Sequence, residues 1–144
     1  MTAQSGAGTF KGAKVLIVED EFLVALQLED MLRDAGHEVI GVVADRASLC
    51  TIGGVPQVAL VDLNLRDGLS GPEIALDLAR NYGTMVVYVT ANPQQIKIPA
   101  HTAVGFISKP FSSDAILAAV GYALSGGATA TPPEGLVPLK SAMH

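Results

Sequence analysis

The clearest strand signal in this sequence is QVALVD, at residues 57–62. Its central residues form an unbroken apolar run, which is typical of a strand buried on both faces of a parallel sheet. Asp62 follows this run, and open α/β sheets place their reactive groups at the carboxyl ends of their strands. The stretch therefore predicts a carboxylate at the edge of a sheet where such proteins carry out their chemistry.

Three other strand-like runs also end in reactive side chains. The residues that follow these runs are, in chain order, Glu19 and Asp20, then Thr90, then Lys109. Because the carboxyl ends of parallel strands meet at one edge of the sheet, we expect these side chains to lie close to Asp62. The sequence thus predicts a carboxylate cluster with one hydroxyl and one ammonium beside it.

Helix signals alternate with five strand signals along the chain. Helices are predicted at roughly residues 21–35, 46–53 and 72–82, and from residue 112 onward. This alternation indicates βαβ units with right-handed crossovers, and therefore a parallel sheet with helices on both faces. The crossover at residues 92–101 differs because it contains Pro93 and Pro99, so any helix there is expected to be short or distorted.

Composition bounds the class of protein. The 144 residues are 49% hydrophobic and 16% charged, which predicts one compact domain. The net charge of -5 argues against non-specific binding to nucleic acid or to an anionic membrane surface. No apolar run approaches a membrane span or a signal peptide, so a cytoplasmic location is expected.

We predict a loose lead-in at residues 1–12, a domain at 13–125 and a flexible Gly/Pro-containing tail at 126–144.

Several carboxylates at one edge of a sheet repel each other unless a cation joins them. Asp20, Asp62 and a backbone carbonyl after Asp62 would supply the oxygen ligands that Mg²⁺ prefers, and Glu19 would bind directly or through water. Lys109 would place a positive charge beside a transferred phosphoryl group, to which Thr90 would donate its hydroxyl. Asp62 would be the nucleophile and would form an aspartyl-phosphate.

In their order along the chain, these residues resemble the receiver domains of two-component response regulators. The resemblance covers roughly residues 13–125. It rests on an acidic pair, an acceptor aspartate, a hydroxyl followed by a small residue, an aromatic residue and a Lys-Pro-Phe sequence. These are Glu19-Asp20, Asp62, Thr90-Ala91, Phe106 and Lys109-Pro110-Phe111.

The resemblance implies a flavodoxin-like, doubly wound five-stranded parallel sheet of order 2-1-3-4-5, with Mg²⁺ (or Mn²⁺) as the cofactor. It implies that Asn64 offers its main-chain carbonyl to the metal and that Lys109-Pro110 is a cis peptide. Thr90 and Phe106 would be the switch residues, although Phe106 stands where many relatives have a hydrogen-bonding Tyr. The family's fourth helix belongs to its signalling face, so the distorted segment at residues 92–101 is expected to change how activation is transmitted.

The resemblance also implies partners. The phosphoryl donor would be a histidine kinase or a histidine phosphotransfer protein, and the output would be docking to an unknown downstream protein or onward phosphotransfer. Nothing after residue 125 reads as a DNA-binding or enzymatic output domain. A stand-alone regulator is therefore expected, which catalyses only its own phosphorylation and dephosphorylation.

Two other functions use similar residues. A phosphatase of the haloacid dehalogenase type would expect a second aspartate two residues after its nucleophile, where this chain has Asn64. It would also expect its metal-binding acids after the nucleophile, whereas Glu19 and Asp20 precede Asp62. A phosphorylation-independent adaptor on a receiver scaffold usually lacks an acid or the lysine, and neither is missing here.

Three other residues have plain structural interpretations. Glu21 is expected to be a first-turn acid favoured by the helix dipole. Cys50 is expected to be a small buried apolar residue, and His37, which has no ligand spacing, is expected to face solvent.

Overall fold

The computed structural model describes residues 12–127 and 131–139 of the chain. Its strands are β1 (Lys14–Val18), β2 (Glu38–Val43), β3 (Val58–Val61), β4 (Met85–Thr90), β5 (Ala103–Ser108) and β6 (Val137–Pro138). Its α-helices are α1 (Phe22–Asp34), α2 (Gly71–Tyr82) and α3 (Ser113–Leu124). Short 3-10 helices cover Ala47–Thr51 and Pro93–Gln95. Within the described part, no helix is long and apolar enough to cross a membrane.

The strands form one sheet in the order β2-β1-β3-β4-β5-β6. The first five strands are parallel, which confirms the predicted flavodoxin-like order. The sequence did not predict β6, which adds a sixth strand that pairs antiparallel with β5. β6 comes from the segment predicted as a flexible tail. Within the predicted lead-in and tail, residues 1–11, 128–130 and 140–144 lie outside the described part.

The core has two layers because successive residues of each strand point to opposite faces of the sheet. On one face, α1 and α3 cover a first core cluster that includes Val15, Ile17 and Leu60. On the other face, α2 covers a second core cluster that includes Leu16 and Val61. The result is the layered α/β architecture that the sequence predicts, with helices on both faces.

Helix α2 begins directly against the end of β3, and this contact positions Asp62. A Cβ atom on Gly71 would lie 1.9 Å from the Asp62 carbonyl oxygen, so only glycine permits the approach. Pro72 occupies the first turn, and Gly83 ends the helix with a positive φ of 69°. Ile74 is fully buried on the face that packs against the sheet.

The segment between β4 and β5 contains only the 3-10 turn Pro93–Gln95. A regular fourth α-helix is absent from residues 91–102, all of which are described, and the prediction of a short or irregular helix is confirmed. Pro93 stands at the start of the turn, where its missing N–H costs nothing.

Candidate functional site

Three carboxylates converge where β1 and β3 end. Glu19, Asp20 and Asp62 each place one oxygen within 4.8 Å of the others. Glu19 and Asp62 are buried, whereas Asp20 is exposed. The strand ends hold the acids in place, because the Asp62 N–H donates to the Val18 carbonyl at 2.8 Å and the Glu19 N–H donates to the Val43 carbonyl at 2.9 Å.

Lys109, which follows β5, brings a positive charge into this cluster. Its Nζ lies 2.8 Å from Glu19 Oε1, 3.0 Å from Asp62 Oδ2 and 3.1 Å from Glu21 Oε1. Burial alone would lower the pKa of the Lys109 ammonium. The contacts with Glu19 and Asp62 outweigh this effect of burial and raise the pKa of Lys109 above its ordinary value. Lys109 therefore carries its charge at neutral pH.

Glu19 is the most deeply buried of these acids. Burial raises the pKa of its carboxyl above the usual value, while the Lys109 ammonium and the Glu21 N–H lower it. Its Oε2 accepts the Glu21 N–H at 3.1 Å. Its Oε1 contacts the lysine as an ion pair but has no hydrogen-bond donor in suitable geometry among the described residues.

Asp62 is held by both of its carboxylate oxygens. Oδ1 accepts the Leu63 N–H at 2.7 Å, and Oδ2 accepts from Lys109 Nζ at 3.0 Å. The carboxylate lines an open pocket of about 250 Å³. The residues around this pocket are Asp20, Glu21, Asp62, Asn64, Leu65, Ala91, Asn92 and Lys109.

The two predicted switch residues lie on the neighbouring strands β4 and β5. Thr90 is fully buried at the end of β4, and its Oγ1 accepts the Asn92 N–H at 3.0 Å. Phe106 is half-buried on β5, where it packs against the second core cluster. Neither residue lines the pocket, although Ala91, which follows Thr90, does.

Asn64 lies on the rim of the pocket, two residues after Asp62. Its side-chain Nδ2 donates to Gln95 Oε1 at 2.7 Å. This bond joins the loop after β3 to the 3-10 turn after β4. Sequence patterns gave no signal for Gln95, because the contact spans 31 positions and depends on the turn geometry. The predicted cis peptide at Lys109-Pro110 is confirmed.

Glu21 departs from its predicted role. Helix α1 begins at Phe22, so Glu21 precedes the helix, and no acidic residue lies in the first turn. Its carboxylate contacts Lys109, although its side chain is 63% exposed and solvent weakens the pair. The consecutive acids at residues 19–21 were the only sequence signal for this contact.

The donor set fits a hard divalent cation. All three acids offer oxygen atoms, which Mg²⁺ and Mn²⁺ prefer over nitrogen or sulfur. The buried Glu19 Oε1 contacts the Lys109 ammonium at 2.8 Å, and Asp62 and Glu21 share that ammonium. Three carboxylates also exceed the single ammonium of Lys109 in charge. The cluster can therefore hold a metal ion.

Known proteins share this sequence pattern and fold. The chain matches the response regulator receiver domain family over residues 15–121. It is 34% identical over 115 residues to the phyllosphere-induced regulator PhyR of Methylorubrum extorquens, which covers 77% of this chain and 43% of that protein. It is 29% identical over 131 residues to the transcriptional regulatory protein PdtaR of Mycobacterium tuberculosis, with coverage of 86% and 62%.

A solved structure has the same fold. The solution NMR structure of the Erythrobacter litoralis PhyR receiver domain matches with a TM-score of 0.69 and 29% identity, over 85% of this chain and 96% of that one. The chain spans about half the length of the curated relatives that it matches. The family match, the relatives and the sheet order agree, and the chain therefore belongs to the response regulator receiver domain family.

Proposed function

We propose that this chain accepts a phosphoryl group on Asp62 and signals by phosphorylation-dependent docking or by passing the group onward. The observation that carries the proposal is the contact of Asp62 with Lys109 at one open pocket, where the buried Glu19 contacts the same lysine. The buried Asp62 carboxylate accepts a hydrogen bond at each oxygen, and the Lys109 ammonium lies 3.0 Å away. This arrangement suits an aspartyl nucleophile.

In the proposed reaction, a carboxylate oxygen of Asp62 attacks the phosphorus atom of a phosphohistidine on the donor protein. The P–N bond breaks, and the electron pair leaves with the imidazole of the donor. Lys109 then neutralises negative charge on the transferred phosphoryl group, because its pKa keeps it protonated. The chain would catalyse no reaction beyond its own phosphorylation and dephosphorylation.

We assign the metal site of the receiver to the same acids. Asp20 and Asp62 would bind Mg²⁺ (or Mn²⁺) directly, with Glu19 beside them and the Asn64 carbonyl as a further oxygen ligand. When bound, the ion supplies positive charge to the phosphoryl oxygens. Asp20 is the acid best placed to recruit it, because its side chain is exposed at the pocket.

Apolar surface beside the pocket suits a protein donor. Phe22 and Leu23, in the first turn of α1, are each 76% exposed. A second pocket, of about 360 Å³, is lined by Glu21, Val24 and Gln27 and by Lys109-Pro110-Phe111. Contiguous exposed apolar groups commonly mark interaction sites. A histidine kinase or histidine phosphotransfer protein would dock here and bring its phosphohistidine to Asp62.

The output surface would lie on the other side of the site. Phosphorylation is expected to draw Thr90 toward the phosphoryl group, which frees space for Phe106 to pack inward. Phe106 has no hydrogen-bonding group, so the coupling would rest on packing and amount to about 1–3 kcal/mol. Residues 92–101 with β5 and α3 would then present the changed surface to a downstream protein.

Phosphorylation of the full chain tests this proposal. We expect incubation with acetyl phosphate and Mg²⁺ to add the mass of one phosphoryl group, and we expect Asp62→Asn to abolish the addition. Intact mass spectrometry measures both. Asp67→Asn is the matched control, because Asp67 is an exposed acid in the loop after β3 that does not line the pocket. Equal labelling of Asp62→Asn and wild type would show that the acceptor is another residue.

A further inference from the structure

Residues 131–139, which we call the strap, lie across the outer edge of β5. Val137 pairs with Phe106, and Pro138 pairs with Gly105. Leu136 is only 5% exposed and belongs to the first core cluster, whereas Leu139 packs against the second. The strap therefore contacts the core on both faces of the sheet and covers an edge that would otherwise be open to another chain.

The close approach of the strap to β5 depends on a glycine in that strand. A Cβ atom on Gly105 would lie 2.4 Å from the Val137 carbonyl oxygen and 2.9 Å from Leu136 Cδ1. Real Cβ atoms do not approach backbone so closely, so any other residue at this position would push the strap away. The strap also approaches α3 closely, because a Cβ on Gly135 would lie 2.9 Å from the Ala115 Cβ.

The strap is nevertheless held by few interactions. β6 has only two residues, and Pro138 has no N–H to donate to a neighbour. Val137 is 48% exposed, and Leu136 is the only buried residue within residues 131–139. Short elements with little buried surface open at a small fraction of the global unfolding free energy. The strap is therefore expected to open more readily than the helices and the central strands.

That change is expected at Phe106. On one side Phe106 pairs with Tyr88 of β4, and on the other side with Val137 of the strap. Phe106 and Leu139 pack against the same core cluster. A rearrangement of Phe106 thus alters both the pairing of β5 with β6 and the apolar surface that the strap contacts. The strap also covers β5, which belongs to the proposed output surface.

We infer that the strap is an autoinhibitory contact, which covers the β5 edge until phosphorylation of Asp62 repacks Phe106 and releases it. The inference rests on the proposed function and adds the regulation of its output. A downstream protein then competes with the strap for β5. By reciprocity of linked equilibria, displacing the strap also favours the phosphorylated state.

Limited proteolysis of the full chain measures release of the strap. Glu134 is exposed within the strap, so a glutamate-specific protease cuts there when the segment leaves its seat. Cleavage in the open state follows the open population when opening is fast. With acetyl phosphate and Mg²⁺, we expect cleavage after Glu134 to become about tenfold faster. Asp62→Asn should show no acceleration.

A second arm displaces the strap without phosphate. Gly105→Ala should speed the same cleavage about tenfold, because its Cβ collides with Val137. Gly121→Ala is the matched control, since a Cβ on Gly121 meets nothing within 4 Å and should leave the rate unchanged.

Each outcome decides one point. An unchanged cleavage rate in wild-type chain that carries phosphate by intact mass would overturn the autoinhibitory role but leave the proposed function standing. An unchanged cleavage rate in Gly105→Ala would show that the strap does not lie against β5 at Gly105. Failure of the wild-type chain to take up phosphate would overturn the proposed function and this inference together.

Discussion

Two crossovers of the sheet differ sharply although each connects neighbouring parallel strands. The first, between β3 and β4, carries the twelve-residue helix α2, whose Ile74 is fully buried. The second, between β4 and β5, carries a single 3-10 turn, and its Ile98 is 67% exposed. The first crossover is packed into the core, whereas the second lies over the sheet with few buried side chains.

The two crossovers therefore suit different roles. The first holds the site in place, and the second can transmit a conformational change. Asp62 lies at the start of the first crossover, where Gly71 packs against its carbonyl. The second crossover is held mainly by separate hydrogen bonds. The Ala100 N–H donates to the Tyr88 hydroxyl at 3.0 Å, and Gln95 accepts from Asn64. A rigid frame keeps the acids in place, while a loosely held segment can change conformation at low cost.

The largest effect is expected from matched isoleucine truncations in the two crossovers. Ile74→Ala should lower the free energy of unfolding by about 3 kcal/mol, because it leaves a cavity in a closed core. Ile98→Ala should change it by less than about 0.5 kcal/mol, because that side chain already faces solvent. Urea denaturation measures both. Equal losses would show that the second crossover is packed as tightly as the first.

A smaller effect is expected at the acid site. Asp20→Asn should reduce the stabilisation that Mg²⁺ confers, which amounts to about 1.4 kcal/mol at about ten times the dissociation constant. It should also stabilise the metal-free fold, because it removes one of three crowded carboxylates. Thermal melts with and without Mg²⁺ measure both changes. Asp30→Asn, an exposed acid of α1, is the control, and an undiminished Mg²⁺ response in Asp20→Asn would exclude Asp20 as a ligand.

The smallest effect is expected where the second crossover is tied to β4. Tyr88→Phe should cost about 1 kcal/mol, because the buried Ala100 N–H loses its acceptor. Hydrogen exchange should accelerate at residues 96–102 but not in α2. A uniform acceleration across both crossovers would instead indicate that the hydroxyl supports the whole fold.

Much of the fold and of the acid site could be predicted because the signals are local. Apolar runs mark buried strands, and the residue after each run is known as soon as the strand is known. The prediction that Asp62, Glu19 and Lys109 meet needs only the parallel sheet. Helix α2 could be placed because Pro72 and Gly83 mark its two ends.

Features that depend on distant partners could not be predicted. β6 has no periodicity, and its pairing depends on the space left by Gly105. The prediction that His37 faces solvent was wrong: it is 8% exposed, accepts the Ala13 N–H at Nδ1, and burial lowers its pKa. The prediction of a buried Cys50 was also wrong, because the short helix at Ala47–Thr51 leaves that thiol exposed.

Hydrogen exchange of the chain with and without phosphate on Asp62 tests most directly whether the second crossover transmits the signal. Samples would be treated with acetyl phosphate and Mg²⁺, and Asp62→Asn would serve as the unphosphorylated control. We expect protection to change at residues 92–108 and to stay constant at residues 72–82 in α2, because the second crossover is loosely held and the first is not. Changes confined to residues 72–82, with residues 92–108 constant, would contradict the account.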